Sequence, residues 1–109
     1  MPNLAIFASG SGSNAENIIQ YFQNDPSIKV SCICTNRKDA FVIERVRKYD
    51  IPVLIFSKED FSKSNQVIDY LKEKKIDWII LAGFLLLVPP SLLSQYSNRI
   101  INIHPALLP

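Results

Sequence analysis

Short apolar runs recur along the chain, and each breaks into a cluster of Gly, Ser, Asn, Asp or Pro. The run LAIFA at 4–8 has no polar interruption before Ser9 and Gly10, which predicts a strand buried on both faces and then a turn. Ala15, Ile18, Ile19 and Phe22 follow at helical spacing. The alternation continues with a strand over 28–35 (IKVSCICT) and a helix over 39–49 that offers Phe41, Ile43 and Val46 to the core. A third strand covers 53–56 (VLIF) behind Pro52. SKED at 57–60 has the form of a capping box, Ser57 with an acid three residues on, so a helix is expected to start there. It extends to about Lys75, with Val67, Ile68 and Leu71 inward and Lys72, Glu73, Lys74 and Lys75 solvated. A nearly all-apolar fourth strand over 77–84, a short helix after two prolines, and a fifth strand over 99–104 (RIINIH) complete the pattern.

Strands that are apolar on both faces and alternate with helices need a sheet covered on both sides. The expected class is α/β, a Rossmann-like doubly wound, mostly parallel sheet. Neither a repeat nor a linker interrupts it, so residues 1–109 read as a single domain.

Composition narrows the partners. Twelve basic and 10 acidic residues leave a net charge of +2, and no Lys/Arg-rich run is interleaved with aromatics, which argues against nucleic acid. The start of the chain lacks the basic and long apolar segments of a signal peptide, and no apolar run approaches the ~20 residues of a membrane helix. A cytoplasmic protein is expected. Cys32 and Cys34 are two apart on a predicted strand and share a face, a poor geometry for bonding to each other. They read as buried, reduced thiols. With one His and two Cys, no metal site is expected.

The chain has three glycines: Gly10 and Gly12 just after the first strand and Gly83 just after the fourth. Asn102 and His104 end the fifth strand. In a parallel sheet the strand C-termini share one edge, so these five residues gather on the rim where open α/β sheets bind ligands. The segment ASGSGSNAEN supports two readings. Gly10, Gly12 and Ala15 fit the G-x-G-x-x-A dinucleotide fingerprint, but the end of the second strand carries Asn36, Arg37 and Lys38 where an NAD site usually has an acid. An NADP phosphate could be served by Arg37 or Lys38. In the other reading the loop cradles a phosphate monoester. Gly12 lets the backbone approach, Ser13 and Asn14 offer donors, and the helix N-terminus adds about half a positive charge. Ser13 is the expected N-cap, with Glu16 returning to its N–H.

Asn102 and His104 project from one face with Cα atoms roughly 6.5 Å apart. Both can reach one carbonyl group. The Asn amide can donate to a developing oxyanion, and the imidazole can carry the proton that acyl transfer to an amine must move.

Taken together, SGSGSN at 9–14, LAGF at 81–84 and NIHPALLP at 102–109 resemble the formyltransferases that use 10-formyltetrahydrofolate. Within that family the Gly-Ser-Asn loop is similar to members acting on glycinamide ribonucleotide in purine biosynthesis, and differs from the first loops of methionyl-tRNA formyltransferases and formyltetrahydrofolate deformylases. The resemblance implies that Gly12, Ser13 and Asn14 hold the substrate phosphate. It implies that Leu85, Leu86, Leu87 and Val88 line the folate pocket together with Asn102, largely through backbone contacts. Asn102 and His104 are then the catalytic pair, which agrees with the roles their spacing suggests.

Two departures stand out. Many relatives carry Met-Arg-Ile-Leu after Gly-Phe, whereas here the Arg position is Leu86. Family members also run on past HPALLP into strands that complete the folate pocket and supply an aspartate that sets the charge state of the histidine. Neither Asp69 nor Asp77 is expected at a strand C-terminus where it could substitute. The 109 residues are thus expected to be the nucleotide-binding half of the enzyme, inactive alone, with an exposed sheet edge that favours a homo-oligomer or aggregation. On the residues alone, two other readings stay open: a fragment of an NAD(P)-binding oxidoreductase, and a non-catalytic phosphate- or nucleotide-binding module.

Overall fold

The computed structural model describes residues 2–103. Five strands, β1 (Asn3–Phe7), β2 (Lys29–Thr35), β3 (Val53–Ile55), β4 (Trp78–Ala82) and β5 (Ile100–Ile103), form one sheet in the order β3-β2-β1-β4-β5. Every neighbouring pair is parallel. Helices α1 (Ser13–Phe22), α2 (Phe41–Arg47), α3 (Lys58–Lys63), α4 (Gln66–Glu73) and α5 (Pro90–Gln95) fill the connections. The strand order turns back between β1 and β4, so the loops leaving these two strands part there and open a crevice at their C-terminal ends.

The apolar runs are strands because both of their faces find cover. Ala5 and Phe7 of β1 point into a layer with Val67, Ile68 and Leu71 of α4 and Leu92 of α5, while Leu4 and Ile6 point into a second layer with Ala15 and Ile19 of α1 and Val42 and Val46 of α2. Phe7 is wholly buried and meets Phe56, Phe61 and Phe84 at ring-centroid distances of 5.3–6.1 Å. Burial of such a side chain contributes about 1.5–3 kcal/mol. Phe84 thereby anchors the loop after β4. Cys32 and Cys34 are buried in the first layer, and burial, followed by contact with Cys32, pushes the Cys34 thiol well above its ordinary value. An inert packing role suits that environment.

Two helices differ from expectation. The helix expected from 57 to 75 is two helices. Ser57 caps the first as anticipated, accepting from Asp60 N–H, but Ser64 turns extended and its hydroxyl donates to Asp60 O and accepts from Gln66 N–H. A Ser side chain that bonds to nearby backbone offers it an alternative to the helix. In α2, Val46 is buried and Ile43 packs against the core as expected, but Phe41 is 57% exposed, with Arg45 over its ring, and Val42 is buried in its place. Val42 is drawn inward by the loop after β1.

Candidate functional site

The loop after β1 is held from below by the start of α2. Val42 N–H donates to Gly10 O at 3.1 Å, and a Cβ added to Gly12 would lie 2.5 Å from Val42 Cβ and Cγ2. Gly12 also has φ of +78°, so both its space and its backbone demand glycine. Gly12, not Ser13, is the N-cap of α1, and Ser13 is the first helical residue. The first N–H of the helix to reach a backbone carbonyl is that of Glu16, which donates to Gly12 O at 2.8 Å. The N–H groups of Ser13, Asn14 and Ala15 therefore have no partner within the helix, at its positive end. Ser13 and Asn14 line a cleft of about 160 Å³ formed by residues 10–14 with Ala82 and Gly83. An anion of phosphate size matches that arrangement.

Moving the cap by one residue puts Glu16 a position too late for a capping box, which needs its acid three residues after the cap. Its buried carboxylate turns to α2 instead. Arg45 Nη1 donates to it at 2.9 Å, Lys48 Nζ lies 2.8 Å away, and Tyr49 O–H donates at 2.8 Å. Lys48 most strongly, then Tyr49 and Arg45, hold the Glu16 pKa down at about 2. Gln20 extends the network by donating to the Tyr49 oxygen. The loop thus rests on a helix pair joined by packing and by charge.

On the other side of the crevice, Phe84, Leu86 and Val88 pack against the core, while Leu85 and Leu87 are 74% and 94% exposed. Asn102 is level with Leu81 of β4, so it lies on the same face of the sheet as this loop, exposed and just before the strand ends. The structure brings residues 10–14 beside Gly83 as expected. His104 lies outside the described residues. Asp77 is at the opposite edge, accepting Asn3 N–H at 2.8 Å, and Asp69 lies in α4. Among the described residues no three His, Cys, Asp or Glu side chains are grouped to hold a metal ion, and no helix is long and apolar enough to cross a membrane.

One residue of the rim was missed from sequence. Ser9 is wholly buried and bonds to both Asn36 and Leu85. A hydroxyl directly after an all-apolar strand was the available signal.

A parallel doubly wound sheet with a glycine-capped helix N-terminus at its crevice defines an α/β domain suited to binding a phosphorylated ligand. The chain belongs to the formyl transferase family, whose model matches residues 2–109. It is 32% identical over 114 residues to the phosphoribosylglycinamide formyltransferase of Haemophilus influenzae, covering 100% of this chain and 54% of that protein. It is 40% identical to the chloroplastic phosphoribosylglycinamide formyltransferase of Arabidopsis thaliana, covering 97% of this chain and 38% of the relative. Among solved structures, glycinamide ribonucleotide transformylase 1 from Geobacillus kaustophilus matches with a TM-score of 0.88 at 40% identity, over 100% of this chain and 61% of that one. The chain therefore spans about half the length of the bacterial relative and less of the plant one.

Proposed function

We propose that this chain is the nucleotide-binding part of an enzyme that moves a formyl group from 10-formyltetrahydrofolate to the amine of glycinamide ribonucleotide. The observation that carries the reading is the cleft lined by Gly12, Ser13 and Asn14 at the open N-terminus of α1, in a chain whose relatives bear the name of that reaction. These three residues hold the substrate phosphate. Residues 85–88 with Asn102 receive the folate, and the exposed Leu85 and Leu87 side chains offer it apolar surface. Leu86 is committed to the core, so the Arg of many relatives has no polar counterpart there and recognition falls to main-chain groups.

Formyl transfer joins the substrate amine nitrogen to the formyl carbon and breaks the bond from that carbon to the folate nitrogen. The carbonyl oxygen carries negative charge in between, where the Asn102 amide stabilises it. The proton released by the amine passes through His104 to the departing folate nitrogen. A dinucleotide site is less well served, because Asn36 is engaged by Ser9 and Arg37 pairs with Asp39 at 3.3 Å. The reduced, buried Cys32 and Cys34 suit a cytoplasmic location.

The test is turnover by a full-length version carrying His104→Ala. The expected result is a loss of about 10²–10⁴-fold in kcat, with glycinamide ribonucleotide affinity retained. An unchanged rate would remove His104 from the chemistry, and specific NAD(P)H binding would overturn the substrate assignment.

A further inference from the structure

Ser9 is the first polar residue after β1 and is wholly buried. Its N–H donates to Gly83 O at 3.3 Å, its hydroxyl donates to Asn36 Oδ1 at 2.6 Å, and its hydroxyl oxygen accepts from Leu85 N–H at 2.9 Å. One side chain thus joins the loops that leave β1, β2 and β4. The geometry is directional: the Asn36 carbonyl oxygen has no hydrogen to give, so it accepts the Ser9 O–H and leaves a hydroxyl lone pair for Leu85 N–H. Gly83, with φ of +70° and open space around it, offers no packing of its own to fix the chain that follows.

We infer that Ser9, oriented by Asn36, is a positioning residue that sets the formyl-donor loop, residues 85–88, against the phosphate loop. The inference rests on the proposed assignment of these loops to the two substrates. Ser9 touches neither substrate. It acts through Leu85, whose backbone direction decides how the exposed Leu85 and Leu87 side chains meet the donor. Removing the hydroxyl frees Leu85 N–H and Asn36 Oδ1 together and lets the base of the loop drift. The phosphate loop keeps its separate support from Val42 and is spared.

Steady-state kinetics on the full-length enzyme test this with Ser9→Ala, Asn36→Leu and Asn36→Asp. Ser9→Ala and Asn36→Leu are expected to raise KM for 10-formyltetrahydrofolate about tenfold, the loss of one hydrogen bond's worth of binding. KM for glycinamide ribonucleotide and kcat should stay within about threefold, a split that general damage to the fold would not produce. Asn36→Asp keeps an acceptor for the Ser9 proton and should recover most of the donor affinity lost in Asn36→Leu. If Ser9→Ala does not fold, the two Asn36 variants decide. An active wild type with unchanged donor KM in the variants, or with all parameters falling together, overturns the role of Ser9 alone. An inactive, folded wild type overturns the functional reading and this inference with it.

Discussion

The two loops that flank the crevice are built in opposite ways. The loop after β1 is supported along its length: Gly10 by the backbone of Val42, Gly12 by the Val42 side chain, and the helix it opens by the bonds of Glu16 to Arg45, Lys48 and Tyr49. The loop after β4 is held at its base by Ser9 and then only on alternate residues, with Phe84, Leu86 and Val88 packed on the core and Leu85 and Leu87 turned to solvent. A small anion needs donors already in place, and a rigid cradle avoids an ordering cost on binding. A larger, partly apolar ligand gains instead from surface it can cover, at roughly 25 cal/mol per Å².

The two positive-φ glycines test this contrast most directly. At Gly12 a new Cβ meets Val42 Cβ, Cγ2 and Cα at 2.5–2.7 Å, whereas at Gly83 nothing lies within 4 Å. Gly12→Ala combines strain with overpacking and is expected to cost about 2–4 kcal/mol. Gly83→Ala carries the conformational strain alone, about 1–2 kcal/mol. Urea denaturation of the two variants measures the difference. Equal losses would mean that Val42 yields and that the first loop is no more rigidly held than the second.

Acid should loosen the first loop before the second. Glu16 is held near pKa 2 from an ordinary value of 4.5, chiefly by Lys48. A depressed carboxylate stabilises the fold above its unfolded pKa, and that contribution is lost as pH falls through the folded one. The window is therefore pH 4.5 down to about 2. Urea midpoints taken at pH 5 and pH 3 should fall more in the wild type than in Glu16→Gln, which has no proton to take up. Parallel declines would show that Glu16 adds nothing to the joint between α1 and α2.

The same contrast explains what could be read from the residues. The strands were legible because runs such as LAIFA are apolar on both faces and alternate with helical patterns, as strands of a covered parallel sheet do. The gathering of Gly10 and Gly12 beside Gly83 followed from strand direction alone. What was not legible depends on contacts between distant segments. Phe41 and Val42 are both apolar, and only the approach of Gly12 decides which turns inward. Ser13 and Glu16 had the spacing of a capping box, yet Gly12, able to adopt positive φ, took the cap and released Glu16 to α2. Ser64 interrupts a helix whose apolar spacing runs on past it. Each departure is a local preference overruled by a partner 29 or more positions away, or by a side chain or glycine acting on its own neighbouring backbone.

The smallest effect on stability is expected at the tip of the second loop, and it is the most informative about binding. Leu87 is 94% exposed, so Leu87→Ser removes no buried contact and should leave stability within about 0.5 kcal/mol of the wild type. Under the proposed function, the same change in the full-length protein removes apolar surface that the folate covers. At about 25 cal/mol per Å², losing 30–60 Å² of such contact is roughly 1 kcal/mol, or about fivefold in donor KM. Affinity for glycinamide ribonucleotide should not change, since Leu87 is not among the residues that line the phosphate cleft. Thermal denaturation and donor KM measured together decide the point. A drop in stability would show that the tip is packed in the full-length protein. An unchanged donor KM would place the folate elsewhere and leave the exposed leucines without a ligand.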